Sequence, residues 1–431
     1  MLRLTRYQYL VLFAAWLGWG FDIFDGLLFN FVAPICVPNL LGLSPSDPAT
    51  KAAIFPWTAG LTSLLLVGWA VGGILFGRIT DRLGRTRTLL LTMLTYALAT
   101  AACAFAPNIY VLAVFRFIAS LGIGGEWAAG ATLVAESLPR EKRVAGGVLL
   151  YTSASFGLAL ATWVNELFTR TITSIAADPG LSWRIVFLTG LVPAAVAIVI
   201  RLKVKEPEAW KPAEEPRVAD LFVPPLRRRT LGGFAMALAA LITWWSCGAF
   251  IPVVAAQLAQ GITPLPPPAE LAAIKTQFIT RGSNSFNLGG LIGTLLCIPA
   301  AALGRRNLFR IYFTASVAAL LLTFVPDWPP ITRLNLLFTI GLSVFGVFGA
   351  FPFYLPELFP MRLRGTGGGF TYNFGRIITA PFPWAVGALV RGGTDPMRVM
   401  SFIAVVPAIG AALAFLGAPV ETRDEVPEEA A

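Results

Sequence analysis

Apolar runs of roughly bilayer length, about 20 residues, recur along the whole chain with short polar connections between them. They fall at 8–35, 57–77, 88–106, 109–136, 144–168, 184–202, 230–258, 277–300, 309–325, 331–356, 365–390 and 397–418. The pattern predicts an all-α membrane protein with twelve transmembrane helices. Twelve spans place both termini on one side. The basic start, Arg3 and Arg6, leads into an apolar stretch that passes Phe31 with no Ala-x-Ala-like cleavage site. It reads as a first span and not a cleaved leader.

The polar connections divide the chain further. Residues 203–229 hold charge and five prolines and no apolar run, which predicts a linker between two bundles. The expected organisation is an N-terminal six-helix bundle at 1–202, that linker, a C-terminal six-helix bundle at 230–418 and an acidic tail at 419–431. The loop 259–276, with Pro264 and Pro266-Pro267-Pro268, reads as stiff and extended. The tail after Pro419 reads as disordered.

Composition agrees with a lipid-facing surface. Hydrophobic residues make up 56% of the chain, charged residues 13%, and mean hydropathy is +0.72; soluble domains carry roughly 25% charged residues. The net charge of +10 has a topological explanation. Of 33 Lys and Arg residues, 23 lie in the connections on the side of the termini, 8 on the other side, and Arg116 and Arg376 within spans. That bias predicts cytoplasmic termini in a plasma or inner membrane. No basic patch is interleaved with aromatics, so nucleic acid is not an expected partner.

Histidine is absent, and Cys36, Cys103, Cys247 and Cys297 lie far apart. The common zinc sites and His-dependent triads are thereby excluded, and no Walker loop is present. Neither an enzyme, a metal site nor a cofactor is expected, and a monomer is the expected working unit.

One pattern recurs at an offset of 221. Glu136, Pro139, Arg143, Gly146, Gly147 and Tyr151 return as Glu357, Pro360, Arg364, Gly367, Gly368 and Tyr372. Upstream, Leu83-Gly84-Arg85 returns as Leu303-Gly304-Arg305. Two six-helix halves, related by a pseudo-twofold axis along the membrane normal, predict this spacing.

These residues resemble a known family. Gly73-x-x-x-Gly77-Arg78-x-x-Asp81-Arg82-x-Gly84-Arg85-x-Arg87 is similar to the loop signature between helices 2 and 3 of the major facilitator superfamily. Arg116-x-x-x-Ser120-x-Gly122-x-Gly124 resembles its helix-4 signature, with Ser120 where glycine is usual. Gly124-Gly125-Glu126-Trp127, Lys205-Glu206-Pro207-Glu208-x-Trp210 and Pro356-Glu357-Leu358-Phe359-Pro360 resemble its sugar-porter-like branch for organic acids. Proton symporters of sialic acid, aromatic acids and monocarboxylates belong there. The second copy of the 2–3 loop departs from the pattern, with Ala301 or Ala302 in place of the aspartate.

Ionisable groups within spans cost roughly 2.5–3.5 kcal/mol at the bilayer centre, so they mark functional sites. Asp22 and Asp25 share one face of helix 1, ~21 and ~26 Å from its inner end, and Arg116 lies ~10 Å down helix 4 from outside. The resemblance pairs a helix-1 aspartate with this arginine, and Asp25 fits best. Burial favours the protonated carboxyl and a guanidinium favours the carboxylate, so Asp25 is the expected proton site, Arg116 its tuner and Asp22 the second candidate. Glu126, ~15 Å from the inner face, is a further proton site or substrate contact. Arg376 lies ~18 Å into the membrane from Arg364, where it suits a carboxylate through paired hydrogen bonds. Tyr372 and Asn373 adjoin it, and Arg281, Asn284 and Asn287 on helix 8 are further candidates for substrate contact.

At the inner ends, Asp81 amid Arg82, Gly84 and Arg85 reads as a latch that forms in one conformation only. Glu136 with Arg143, and Glu357 with Arg364, read as gate elements. The expected function is proton-coupled symport of a small organic anion by alternating access. A sugar or polyol porter and a proton-driven drug exporter are the alternatives. Helix 5 lacks the exporters' Gly-Pro motif, and Glu206-Pro207-Glu208 replaces the sugar-porter motif after helix 6.

Overall fold

A computed structural model describes residues 4–43, 48–191, 195, 199, 204, 217–248, 250–262, 267–391 and 394–422. The described residues are helical, with no strand among them. In chain order the helices are α1 (Arg6–Leu41), α2 (Pro48–Leu83), α3 (Arg85–Cys103), α4 (Ile109–Ser137), α5 (Arg140–Glu166) and α6 (Pro179–Leu188). They continue with α7 (Leu226–Gly248), α8 (Pro268–Ala302), α9 (Arg305–Phe324), α10 (Pro330–Glu357), α11 (Arg364–Thr379) and α12 (Pro396–Phe415). Ile251–Gln260 prolongs α7 beyond a break at Phe250, and Pro381–Arg391 prolongs α11.

Among the described residues nine helices are long and apolar enough to cross a membrane. They match nine of the twelve expected spans. The other three are α3, which coincides with 88–106; the sixth, whose second half lies outside the described residues; and the eleventh, which is divided at Ala380. Most of the expected linker (205–216), Pro264, Pro266 and the last nine residues lie outside the described residues too. Leu98, Trp163, Leu295, Leu322 and Ile409 face outward, whereas Asp22, Asp25, Arg116, Glu126 and Arg376 are buried. Apolar outside and charged inside is the arrangement lipid imposes.

Two expectations fail. Part of the stiff loop is helix: α8 begins at Pro268, because proline in a first turn forfeits no intrahelical hydrogen bond. The first residues of the tail, through Thr422, stay on the bundle past Pro419. Val420 N donates to the Tyr354 hydroxyl at 3.0 Å, and Glu421 and Thr422 bond to the bundle as well.

Contacts among the helices follow a repeated scheme. The pairings α2–α4, α3–α4, α1–α5 and α3–α6 recur as α8–α10, α9–α10, α7–α11 and α9–α12. The two sets meet where α2 packs on α11, α5 on α8 and α10, and α4 on α10 and α11. The α2–α11 approach is close enough to need glycine. A Cβ on Gly73 would lie 2.1 Å from the Asn373 side chain, and one on Gly77 2.6 Å from the Gly365 carbonyl oxygen.

Candidate functional site

Arg376 lies inside the bundle, in an aromatic enclosure drawn from both sets of helices. Its guanidinium carbon is 4.1 Å from the ring centre of Trp69 on α2 and 4.6 Å from that of Tyr372. Its Nη1 donates to Asn373 Oδ1. Trp127 of α4 stacks on Tyr372, with ring centres 4.2 Å apart and planes 11° from parallel. Trp19 adjoins Trp69 and Tyr151. Phe345 and Phe348 of α10 flank Tyr151 and Trp244.

Several donors of this enclosure lack a partner. Arg376 Nε, Asn373 Nδ2 and the indole nitrogens of Trp19, Trp69, Trp127 and Trp244 are buried with no hydrogen-bond partner in the protein. A buried unsatisfied donor costs about 1–3 kcal/mol. Clustered beside a guanidinium, such donors suit an anionic ligand that supplies the missing acceptors.

The acids stand close by. Thr100 Oγ1 donates to Asp25 Oδ2 at 2.7 Å. Arg116 reaches helix 1 at the expected place, but its two hydrogen bonds go to the backbone carbonyls of Asp25 (3.3 Å) and Gly26 (3.0 Å). Its charge still attracts the Asp25 carboxylate. Asp22 is buried on the same helix. Glu126 accepts from Thr92 at 3.1 Å and lines a cavity of only about 10 Å³ with Trp19, Trp127 and Tyr151.

The α8 candidates lie elsewhere. Arg281 and Asn284 line an open cavity of about 540 Å³ with Gln277, Thr280, Ser285 and Leu288, and Arg281 donates to Asn335 at 3.0 Å. Neither Arg376 nor Asn287 lines that cavity.

At the basic end of the bundle, the α2–α3 turn grips α11. Asp81 is buried and accepts from the backbone nitrogens of Gly365 (3.1 Å) and Thr366 (2.8 Å) and from the Thr366 hydroxyl (2.8 Å). A carboxylate at a helix N-terminus satisfies free N–H groups and complements the helix dipole. Arg85 lies 3.3 Å from Asp81, holds Glu136 through two 2.8 Å bonds and donates to the Met361 carbonyl. Arg364 approaches Glu136 at 3.7 Å from α11. Gly84 has φ 102°, which suits glycine, and caps α3. Arg82 is exposed and stands outside this cluster. Arg143 donates to the Leu138 carbonyl of its own turn, as Arg364 does to Phe359.

In the second copy, Gly304 has φ 101° and Arg305 holds Glu357 at 2.9 and 3.0 Å. Ala301 offers no carboxylate, and a second acid, Glu421, accepts from the backbone nitrogens of Arg305 and Arg306, both at 2.9 Å.

Sequence reasoning passed over the tryptophans. Their signal was present: Trp19, Trp69, Trp127 and Trp244 lie well inside spans, away from the interfaces where membrane tryptophans gather.

The family model described as Major Facilitator Superfamily matches residues 9–383. A probable 4-methylmuconolactone transporter of Cupriavidus pinatubonensis is 28% identical over 87% of this chain and 82% of its own. A gentisate transporter of Corynebacterium glutamicum is 25% identical over 88% of this chain and 81% of its own. Among solved structures, the proton:xylose symporter XylE bound to 6-bromo-6-deoxy-D-glucose superposes with a TM-score of 0.73 over 96% of both chains, at 15% identity.

Proposed function

This chain belongs to the Major Facilitator Superfamily, a family of multi-pass membrane transporters and not of enzymes, and we propose that it carries a small organic carboxylate together with a proton by alternating access. The carrying observation is the set of unpartnered donors around Arg376. A guanidinium with an unpaired Nε, the unpaired amide nitrogen of Asn373 and four unpaired indoles call for an anion with several acceptor lone pairs, and a carboxylate has them. The names of the muconolactone and gentisate transporters point to related solutes.

In this reading the chain has twelve spans in two halves, 1–202 and 230–418, joined by 203–229 and related by a pseudo-twofold axis. The offset of 221 and the repeated helix pairings support it. Both termini are cytoplasmic, so the basic end faces the cytoplasm, and the Asp81 grip on α11 holds that side closed. The halves rock about the Arg376 site, as in transporters built from repeats. The monomer is the working unit.

Asp25 carries the coupled proton, with Arg116 beside it. Asp22 links proton to substrate. While ionised it competes for Arg376, and once protonated it leaves the guanidinium to the incoming carboxylate. Both acids are buried on helix 1, and neutralising either removes one charge from a low-dielectric interior.

Uptake into proteoliposomes tests the scheme. Arg376→Lys keeps the charge and loses the planar fork. The apparent affinity for transported acids should fall about 10- to 100-fold, in line with the loss of one or two charge-assisted hydrogen bonds. Unchanged affinity ends the carboxylate assignment. Asp25→Asn should abolish accumulation driven by a proton gradient, and full accumulation in that variant would remove Asp25 from the coupling.

A further inference from the structure

Trp69, Arg376, Tyr372 and Trp127 form consecutive layers. The guanidinium carbon of Arg376 is 4.1 Å from the first ring and 4.6 Å from the second, and the Tyr372 and Trp127 ring centres are 4.2 Å apart. Trp127 covers one face of Tyr372 nearly parallel to it, which leaves the opposite face for Arg376. The outer layers come from α2 and α4 and the inner two from α11, so the stack ties the two sets of helices together through the bundle's interior.

The cavity against Trp127 is too small for an organic acid. Lined by Trp127, Tyr151 and Glu126, it measures about 10 Å³, which is close to one water. A ligand that stacks on this face of Trp127 must therefore replace a layer. Of the layers, Tyr372 is the one with Trp127 on one side and Arg376 on the other, and its departure opens space contiguous with that cavity, which Trp127 lines too.

We infer that Trp127 reads the shape of the substrate, and that Tyr372 holds in the structure the place of a flat conjugated carboxylate. The inference rests on Arg376 receiving the carboxylate. It adds that the acid's planar part lies against Trp127 after Tyr372 swings aside. A flat ring or dienoate can stack there at about 4 Å, as Tyr372 does. A puckered saturated ring of the same size is thicker and has no π-face, so it loses the stacking contribution.

Matched probes separate the two ideas. Benzoate and cyclohexanecarboxylate carry the same charge on a flat and a puckered ring; hexa-2,4-dienoate and hexanoate are the open-chain counterparts. Binding is read from the ligand-induced rise in melting temperature of the purified full chain. The unsubstituted protein should bind each flat acid about fivefold or more tighter than its saturated partner, in keeping with a single aromatic stack. Trp127→Leu should bring the ratio below about twofold with the loss falling on the flat acids, whereas Trp127→Phe should retain most of it. Arg376→Lys should weaken flat and saturated acids alike and leave the ratio unchanged.

Equal binding of flat and saturated acids by the unsubstituted protein overturns the inference with no need of a variant. So does a ratio that survives Trp127→Leu. Both outcomes leave the carboxylate role of Arg376 standing, provided Arg376→Lys weakens both acids. If no acid of either pair binds, the carboxylate role fails and this inference falls with it.

Discussion

The α2–α3 turn and its copy at α8–α9 begin from nearly the same peptide and hold two different things. Both place glycine at φ near 100°, and both follow it with an arginine that clamps a glutamate through two hydrogen bonds. The first turn adds Asp81, which reaches across to the N-terminus of α11 in the other set of helices. The second has Ala301 there, and its nearby acid, Glu421, caps the N-terminus of α9 in its own set. A duplicated motif has thus kept its local clamp twice and its cross-bundle grip once. The first copy bears on the opening of the basic end, the second on the integrity of one half.

Asp81→Asn breaks this comparison most strongly. The amide keeps the shape but removes the charge that faces Arg85 and the α11 N-terminus. Loss of charge-assisted bonds in a buried site is worth about 1.5–3 kcal/mol, or a roughly 10- to 100-fold shift in the closed-to-open ratio at the basic end. Spin labels at Arg82→Cys and Asn307→Cys, both exposed, report that opening by their distance distribution, and the four native cysteines are buried. A distribution unmoved by Asp81→Asn would show that the grip does not set the equilibrium.

The paired substitutions Glu136→Gln and Glu357→Gln sharpen the comparison at a smaller scale. Glu136 and Arg85 have fully buried side chains, and Arg364 approaches Glu136 from the other set. Glu357 and Arg305 are 12% and 16% exposed. Uncompensating a buried ion costs about 3–5 kcal/mol, and water lessens the loss at the rim. Glu136→Gln should therefore lower the melting temperature more than Glu357→Gln and should also widen the spin-label distances. Equal effects on both readouts would mean that the two clamps act alike.

How far the sequence revealed this depends on the kind of signal. Span lengths, the offset of 221 and the in-membrane charges are one-dimensional, so the helices, the duplicated motif and the buried Arg376 could be read directly; the clamps could not, since Glu136 is held by Arg85 and Glu357 by Arg305, partners that the pairing with Arg143 and Arg364 did not name. The proximity of Arg116 to Asp25 could be read too, but not that its hydrogen bonds go to main-chain carbonyls, since every residue has one. The order of Asp25 over Asp22 came from the resemblance, which pairs one helix-1 aspartate with Arg116, because depth along a helix gives no azimuth. The aromatic stack was illegible for a similar reason: Trp69, Trp127 and Tyr372 lie on three helices, and only packing makes them neighbours. The start of the tail, Val420 to Thr422, stays on the bundle against expectation. Its acidic composition resembles that of disordered segments, but the α9 N-terminus offers Glu421 two free N–H groups.

Glu421→Gln should have the smallest effect. The glutamine side chain still carries an oxygen that can accept from one of the two backbone nitrogens, so what is lost is one bond and the charge facing the helix dipole. At a partly exposed helix end these are worth about 0.5–1 kcal/mol. In a chain of this size that lowers the melting temperature by about 1 °C or less. The spin-label distribution and the transport rate should not change, because Glu421 caps the α9 N-terminus at Arg305 and Arg306 within its own half. If Glu421→Gln instead opened the basic end as Asp81→Asn is expected to, the tail would be a second cross-bundle lock, and the loss of the aspartate at position 301 would have been compensated in function and not only in local structure.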